Sequence, residues 1–272
     1  MFKFSVLLSV YRNENPTFLE TALSSILTNQ TRLPNEVILI KDGPLTNELD
    51  EIINHWEDSH PTTLKVISLE KNVGLGNALN IGISYCKYNW IFRMDTDDYC
   101  LPDRFKQQIQ YIQSNPEIAL LGTCTEEFDS NMSTSLGLRK VPNSHSDILL
   151  YVKRRNPFNH MTVAFRKDVI LSVGGYQHHL YMEDYNLWIR VIAAGYQVGN
   201  IDEVLVNVRG GDSMVKRRKG FVYINSELQL AKLKVEKNID SKLHASLIFI
   251  LRSIPRILPT FLLSKIYRKT RS

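Results

Sequence analysis

Apolar runs of strand length alternate along the first hundred residues with stretches whose apolar positions fall three and four apart. Residues 4–10 form one run, 18–27 a helical pattern, 37–40 a second run, and 49–56 a second helical pattern. Residues 64–69 predict a third strand, 75–85 a helix, and 90–94 a fourth strand that runs into a cluster of acids. Strands apolar on both faces and alternating with helices predict a mostly parallel sheet covered on two sides. In such sheets ligands bind beyond the carboxyl ends of the strands. Polar residues gather at those ends: Tyr11-Arg12-Asn13, Lys41-Asp42-Gly43, Asn72-Val73-Gly74 and Asp95-Thr96-Asp97-Asp98.

From about residue 100 the rhythm changes. A helix begins near Pro102, followed by a strand at 118–123 and a β-leaning polar stretch to 141. Then come Asn156-Pro157-Phe158-Asn159-His160, an apolar strand at 161–165, the turn Gly174-Gly175-Tyr176 and a helix over 183–194. A strand pair to 209, a basic loop over 210–218 and a helix over 221–236 complete the pattern. The reading is α/β, with one half at 1–98, a second at 99–220, and C-terminal helices at 221–272. No repeat or low-complexity linker separates the halves, so one body is expected.

Composition narrows the classes. With 272 residues, 43% hydrophobic and 22% charged, the chain is ordinary globular protein, which excludes disorder, collagen and disulfide scaffolds. Three cysteines without metal-ligand spacing predict buried thiols in a reducing compartment, not a zinc site. The N-terminal apolar run lacks a small-residue cleavage site and reads as a core strand. No run of eighteen uncharged apolar residues occurs, so a spanning helix is not expected. The net charge of +5 is unevenly spread: after Asp240 there are seven Lys and Arg and no acid. That tail also carries apolar residues at helical spacing, from Leu243 to Ile266. Pro255 is expected to break it into two short basic amphipathic helices, the second from Pro259, which suit an anionic membrane surface. Packing on the catalytic body is the alternative. Basic residues in a Leu/Ile-rich tail, away from stacking aromatics, do not suggest nucleic acid.

Asp95, Asp97 and Asp98 close an apolar strand, and three carboxylates that near repel one another unless protons or a cation intervene. A hard cation, Mn²⁺ or Mg²⁺, takes oxygen ligands and leaves positions for phosphate; a helix cap explains Asp98 equally well. Asp42 suits a base or ribose hydroxyl, or a plain turn. Asn72 and Gly74 start a glycine loop into a helix, either a phosphate or sugar contact or a simple turn. Glu183 and Asp184 open an amphipathic helix carrying Trp188, where a carboxylate serves as cap or as general base. His160 is either structural or in contact with substrate. Arg217 and Arg218, after two glycines, suit a diphosphate gaining charge or a solvated run.

Together these motifs resemble family 2 of the inverting glycosyltransferases, which have the GT-A fold, over roughly residues 3–218. Ser9-Val10-Tyr11-Arg12 resembles the family's opening nucleotide-binding strand end, and Asp42 its uracil-contacting aspartate. Asn72-Val73-Gly74 with Ala78-Leu79-Asn80 resembles the N-x-G…A-R-N segment, with Leu79 in the place of arginine. Asp95-Thr96-Asp97 resembles the DXD motif, and Glu183-Asp184 the ED motif, which implies Asp184 as catalytic base. Other segments resemble bacterial enzymes of O-antigen and exopolysaccharide assembly. The resemblance implies a nucleotide-sugar-binding half at 1–98 and a metal- and acceptor-binding catalytic half at 99–220, a UDP-sugar donor, an undecaprenyl-diphosphate-linked acceptor, and a peripheral position on the cytoplasmic face of the inner membrane. Asp95 and Asp97 would hold the metal; Asp98, His160, Glu183 and Trp188 would stand near the acceptor. A metal-dependent nucleotidyltransferase or other phosphate-handling enzyme is the competing class.

Overall fold

The structure is a computed structural model describing residues 2–210 and 220–257. Its first half comprises β1 (Phe4–Val10), α1 (Pro16–Leu27), β2 (Glu36–Lys41), α2 (Asn47–Ser59), β3 (Leu64–Ser68), α3 (Leu75–Tyr85) and β4 (Trp90–Arg93). The four strands are parallel in the order β3-β2-β1-β4. The pleat of β1 sends Val6, Leu8 and Val10 to a core shared with Leu19 and Leu23 of α1, and Leu7 to a second core with Leu79 and Ile83 of α3. A strand with a core on each face favours apolar residues on both, which explains the nearly continuous apolar runs. Local signals start the helices: the Asn15 side chain accepts from the Thr17 amide ahead of α1, with Pro16 in its first turn, and Thr46 caps α2.

The second half adds β5 (Tyr99–Cys100), α4 (Arg104–Ser114), β6 (Ile118–Phe128), β7 (Ser135–Arg139), α5 (His145–Tyr151), a 3₁₀ turn (His160–Thr162) and β8 (Ala164–Arg166). Next come α6 (Lys167–Ser172), α7 (Glu183–Ala193), β9 (Gln197–Arg209), α8 (Phe221–Glu236) and α9 (Lys242–Ile257). The same sheet continues from β4 through β8, β6, β9 and β5, with β8 antiparallel to both neighbours and β6 parallel to β9. α4 fixes the end of β4: buried Arg104 donates from Nη2 to the Arg93 carbonyl at 2.7 Å, and Gln108 donates to the Thr162 carbonyl at 2.9 Å.

The chain departs from the sequence pattern in four places. The strand pair before Arg209 is one strand, β9, whose bulges opposite Thr123–Thr125 let it follow β6 throughout. The strand expected at 161–165 begins only at Ala164, as β8, because the Thr162 hydroxyl donates to the Asn159 carbonyl and accepts from the Thr123 amide, which holds the 3₁₀ turn before it. Helices α5 and α6 escaped notice because each is one or two turns long with little apolar periodicity. Pro255 does not break the tail: α9 continues to Ile257, its last turn held against α8 by the Gly220 amide on the Arg256 carbonyl. The second tail helix, from Pro259, lies outside the described residues. Two of the tail's arginines also turn inward, since Arg252 pairs with Glu227 of α8 and Arg256 lies 3.8 Å from the same carboxylate.

All three cysteines are free and buried. Among the described residues no helix is long and apolar enough to cross a membrane.

Candidate active site

β1 lies between β2 and β4, where the strand order reverses, and the carboxyl ends of β1 and β4 open on a cavity of about 1720 Å³. Ser9 and Tyr11, two residues apart on one face of the strand, line it together with Asn13 and Glu14. The loop after β4 brings Asp95, Asp97 and Asp98 together with ligand oxygens all within 4.8 Å of one another. Asp98 is buried: one oxygen accepts from the Arg209 amide at 2.9 Å, and Oδ2 has no hydrogen-bond partner among the described residues. Arg93, also buried, pairs with Asp95. Burial, with Asp95 and Glu14 beside it, pushes the Asp97 carboxyl up to about 7, and burial raises Asp98 well above the ordinary range, with Asp97 and Asp95 adding to it. Hard oxygen donors this close, one buried and unpartnered, fit a hard divalent cation, whose charge would keep all three ionised. Glu14 belongs to this group: it accepts from the Thr96 hydroxyl at 2.6 Å.

Asp42, at the end of β2, is 4% exposed and holds the glycine loop by its carboxylate. It accepts from the amides of Val73 at 2.7 Å and Gly74 at 3.1 Å. Gly74 has φ +83°, a conformation that disfavours a side chain, and with Asn72 it forms part of the cavity wall.

α7 enters the cavity by its N-terminus, presenting Glu183 and Asp184. Asp184 accepts from the Asn156 amide nitrogen at 2.7 Å on Oδ2 and from the Tyr185 backbone amide at 2.7 Å on Oδ1. Burial raises its pKa above the ordinary carboxylate range, while those two bonds act in the opposite direction. Glu183 is raised too, by burial and then by Asp184. His160 lines the cavity and shares a 2.8 Å hydrogen bond with the Tyr176 hydroxyl. Burial, then the charge of Arg93, keep its pKa well below the ordinary value, so it stands there as neutral imidazole.

Ser9, Tyr11, Asp42, Asn72, Gly74, Asp95, Asp97, Asp98, His160, Glu183 and Asp184 therefore meet in one cavity. Three expected residues do not. Val10 points to the opposite face of β1 from Ser9 and Tyr11 and is core. Arg12 is exposed and is not part of the cavity wall. Trp188, one turn beyond Asp184, is fully buried against Phe158 and His160, because α7 runs from the cavity into the core. Arg217 and Arg218 lie outside the described residues. Sequence reasoning missed Glu14, Arg93, Asn156, Arg155 and Arg252 in the wall. Of these, Arg93 carried a signal, being a charged residue inside an otherwise apolar strand.

The sequence profile of glycosyl transferase family 2 matches residues 5–173, and that of glycosyl transferase family group 2 matches residues 90–268. The chain belongs to glycosyl transferase family 2. It is 44% identical to the amylovoran biosynthesis glycosyltransferase AmsE of Erwinia amylovora over 98% of this chain and 99% of that one. It is 39% identical to the UDP-Gal:alpha-D-GlcNAc-diphosphoundecaprenol beta-1,3-galactosyltransferase of Escherichia coli over 98% and 96% of the two chains. Among solved structures, the mannosyltransferase PcManGT from Pyrobaculum calidifontis, in complex with GDP-Man and Mn2+, superimposes with a TM-score of 0.64 at 14% identity, covering 98% of this chain and 80% of that one. The curled, largely parallel sheet is the GT-A fold that the motifs implied, and the family makes the chain a glycosyltransferase.

Proposed function

We propose that this enzyme moves a hexose, galactose ahead of glucose, from a UDP-sugar onto a hydroxyl of a lipid-diphosphate-linked sugar of the GlcNAc-diphosphate-undecaprenol kind. The product is a β-glycoside in the assembly of a bacterial surface polysaccharide. One observation carries the reading: Asp184 at the start of α7 and the acids after β4 face a single cavity from different elements. The names of the two relatives support the donor, acceptor and pathway classes.

In this reading Ser9, Tyr11, Asp42 and the 72–74 loop seat the nucleotide, with the loop held in shape by the Asp42 carboxylate. Asp95 and Asp97 would hold a Mn²⁺ or Mg²⁺ ion, which offsets the charge that develops on the departing diphosphate. Asp184 takes the proton of the acceptor hydroxyl as that oxygen attacks the anomeric carbon from the face opposite the leaving UDP. One displacement inverts an α-linked donor, and no covalent enzyme intermediate forms. Asn156 and the Tyr185 amide fix the base and favour its ionised form.

The enzyme works at the cytoplasmic face of the inner membrane as a peripheral protein. Leu243, Leu247, Ile250, Leu251 and Ile254 form an exposed apolar row on α9, with Phe221 and Val222 exposed at the start of α8. Such a row supports contact with a lipid surface.

A panel of nucleotide sugars with Mn²⁺ and a synthetic GlcNAc-diphosphate-lipid tests the reaction class. UDP release with sugar transfer, greatest for UDP-galactose, is expected; pyrophosphate or inorganic phosphate as the product indicates a nucleotidyltransferase or phosphohydrolase. The pH dependence tests the base. Since Asp184 acts ionised and burial raises its pKa, kcat should climb with pH through a limb above the usual carboxylate range. Asn156→Ala removes a bond that favours the anion, so that limb should move to still higher pH. An unchanged limb contradicts the assignment.

A further inference from the structure

One wall of the cavity is built from elements other than those proposed to seat the nucleotide: Arg155 before the 3₁₀ turn, Tyr223 of α8, and Leu251, Arg252 and Arg256 of α9. The segment leading to Arg155 is held at three successive carbonyls. The Tyr185 hydroxyl donates to Val152 at 2.6 Å, Lys234 Nζ to Lys153 at 2.9 Å and Arg252 Nη1 to Arg154 at 2.9 Å. The next residue, Arg155, is exposed in the cavity, and the one after it, Asn156, holds Asp184. Arg252 is equally fixed, donating from Nε and Nη2 to the two oxygens of Glu227 at 2.7 Å each. A guanidinium has five N–H groups. Among the described residues the bonds named here engage three in Arg252, which leaves two toward an anion. Arg256, one turn later on the same helix, lies 4.6 Å over the ring of Tyr223 and lines the same wall.

Beyond these cations the surface turns apolar. Leu251 lines the cavity and is exposed, as are Leu247, Ile250 and Ile254 on α9. Three guanidinium groups followed by a row of leucine and isoleucine match a multiply charged headgroup attached to a hydrocarbon chain. A nucleotide has no use for the apolar row. At about 1720 Å³ the cavity exceeds the roughly 300–1,000 Å³ of a pocket for one small ligand, so a donor and an acceptor headgroup fit together.

We propose that Arg155, Arg252 and Arg256 form the acceptor's diphosphate subsite and that Leu247, Ile250, Leu251 and Ile254 carry its hydrocarbon chain. This rests on the acceptor class proposed above and adds the residues that take it.

The test uses the full chain with saturating UDP and Mn²⁺, so that the donor site is filled. Calorimetry compares farnesyl diphosphate with farnesol in the unsubstituted enzyme, Arg155→Gln and Arg256→Gln. Each substitution is expected to weaken farnesyl diphosphate about tenfold, the value of one good charged hydrogen bond, and to leave the smaller affinity for farnesol in place. Transfer kinetics with GlcNAc-diphosphate-undecyl and phosphate-free GlcNAc-undecyl should show the same preference, the KM loss on the diphosphate exceeding that on the glycoside by about tenfold. Arg155 is exposed on the cavity wall, so its variant should fold even if Arg256→Gln loosens the α8–α9 pair.

Unchanged farnesyl diphosphate affinity in Arg155→Gln, or equal losses on both acceptors, overturns the subsite while leaving the transfer reaction standing. Absence of transfer to either acceptor, with farnesyl diphosphate binding still lost in Arg155→Gln, overturns the reading of the acceptor and leaves the subsite standing.

Discussion

Asp184→Asn is expected to lower kcat about 1,000-fold, the scale at which a general base contributes, with UDP affinity within about twofold of the unsubstituted enzyme. The substitution keeps the shape of the side chain and an oxygen for the Tyr185 amide, and it removes the capacity to take a proton. Asp184 stands on α7, and the loops proposed to seat the nucleotide follow β1, β2 and β3, so the two proposed functions separate. Stopped transfer with intact UDP binding, measured by calorimetry beside initial rates, is the expected pattern. Loss of both together, or a kcat within about tenfold of normal, contradicts the base role.

Asp97→Ala should weaken UDP binding in Mn²⁺ by about 100-fold. Its sign without metal is the sharper part. Asp97 lies among Asp95, Asp98 and Glu14, and the negative charge that these carboxyls keep without a cation opposes a diphosphate. Removing one carboxylate should therefore leave metal-free UDP binding equal or slightly tighter while abolishing the gain from Mn²⁺. Titrations with and without Mn²⁺ check both halves. A Mn²⁺-dependent gain of unchanged size in Asp97→Ala removes that residue from the site.

The first half was legible because its rules are local. β1, β2 and β4 are buried on both faces and each crossover helix has an apolar stripe, so period and punctuation placed the strand ends and the acids upon them. The second half was less so, because its structure depends on partners distant in sequence. β9 is one strand only because β6 accompanies it through its bulges, and α9 passes Pro255 because α8 holds its last turn. The same limit applied to the site. Asp95, Asp97 and Asp184 announce themselves by position in an element. Asn156 and Arg252 matter through what they touch, 28 and 25 residues away in Asp184 and Glu227. Trp188 shows the converse error: it shares the motif of Asp184, yet helical geometry places it one turn deeper, in the core.

A single displacement in this cavity with Asp184 as base inverts the anomeric carbon, and the product records it. UDP-α-galactose, Mn²⁺ and a GlcNAc-diphosphate-lipid are incubated with the enzyme, and the new linkage is read by proton NMR. A β-galactoside is expected, recognised by the large coupling between its axial H1 and H2; an α-linked product requires retention and rules out the one-step displacement.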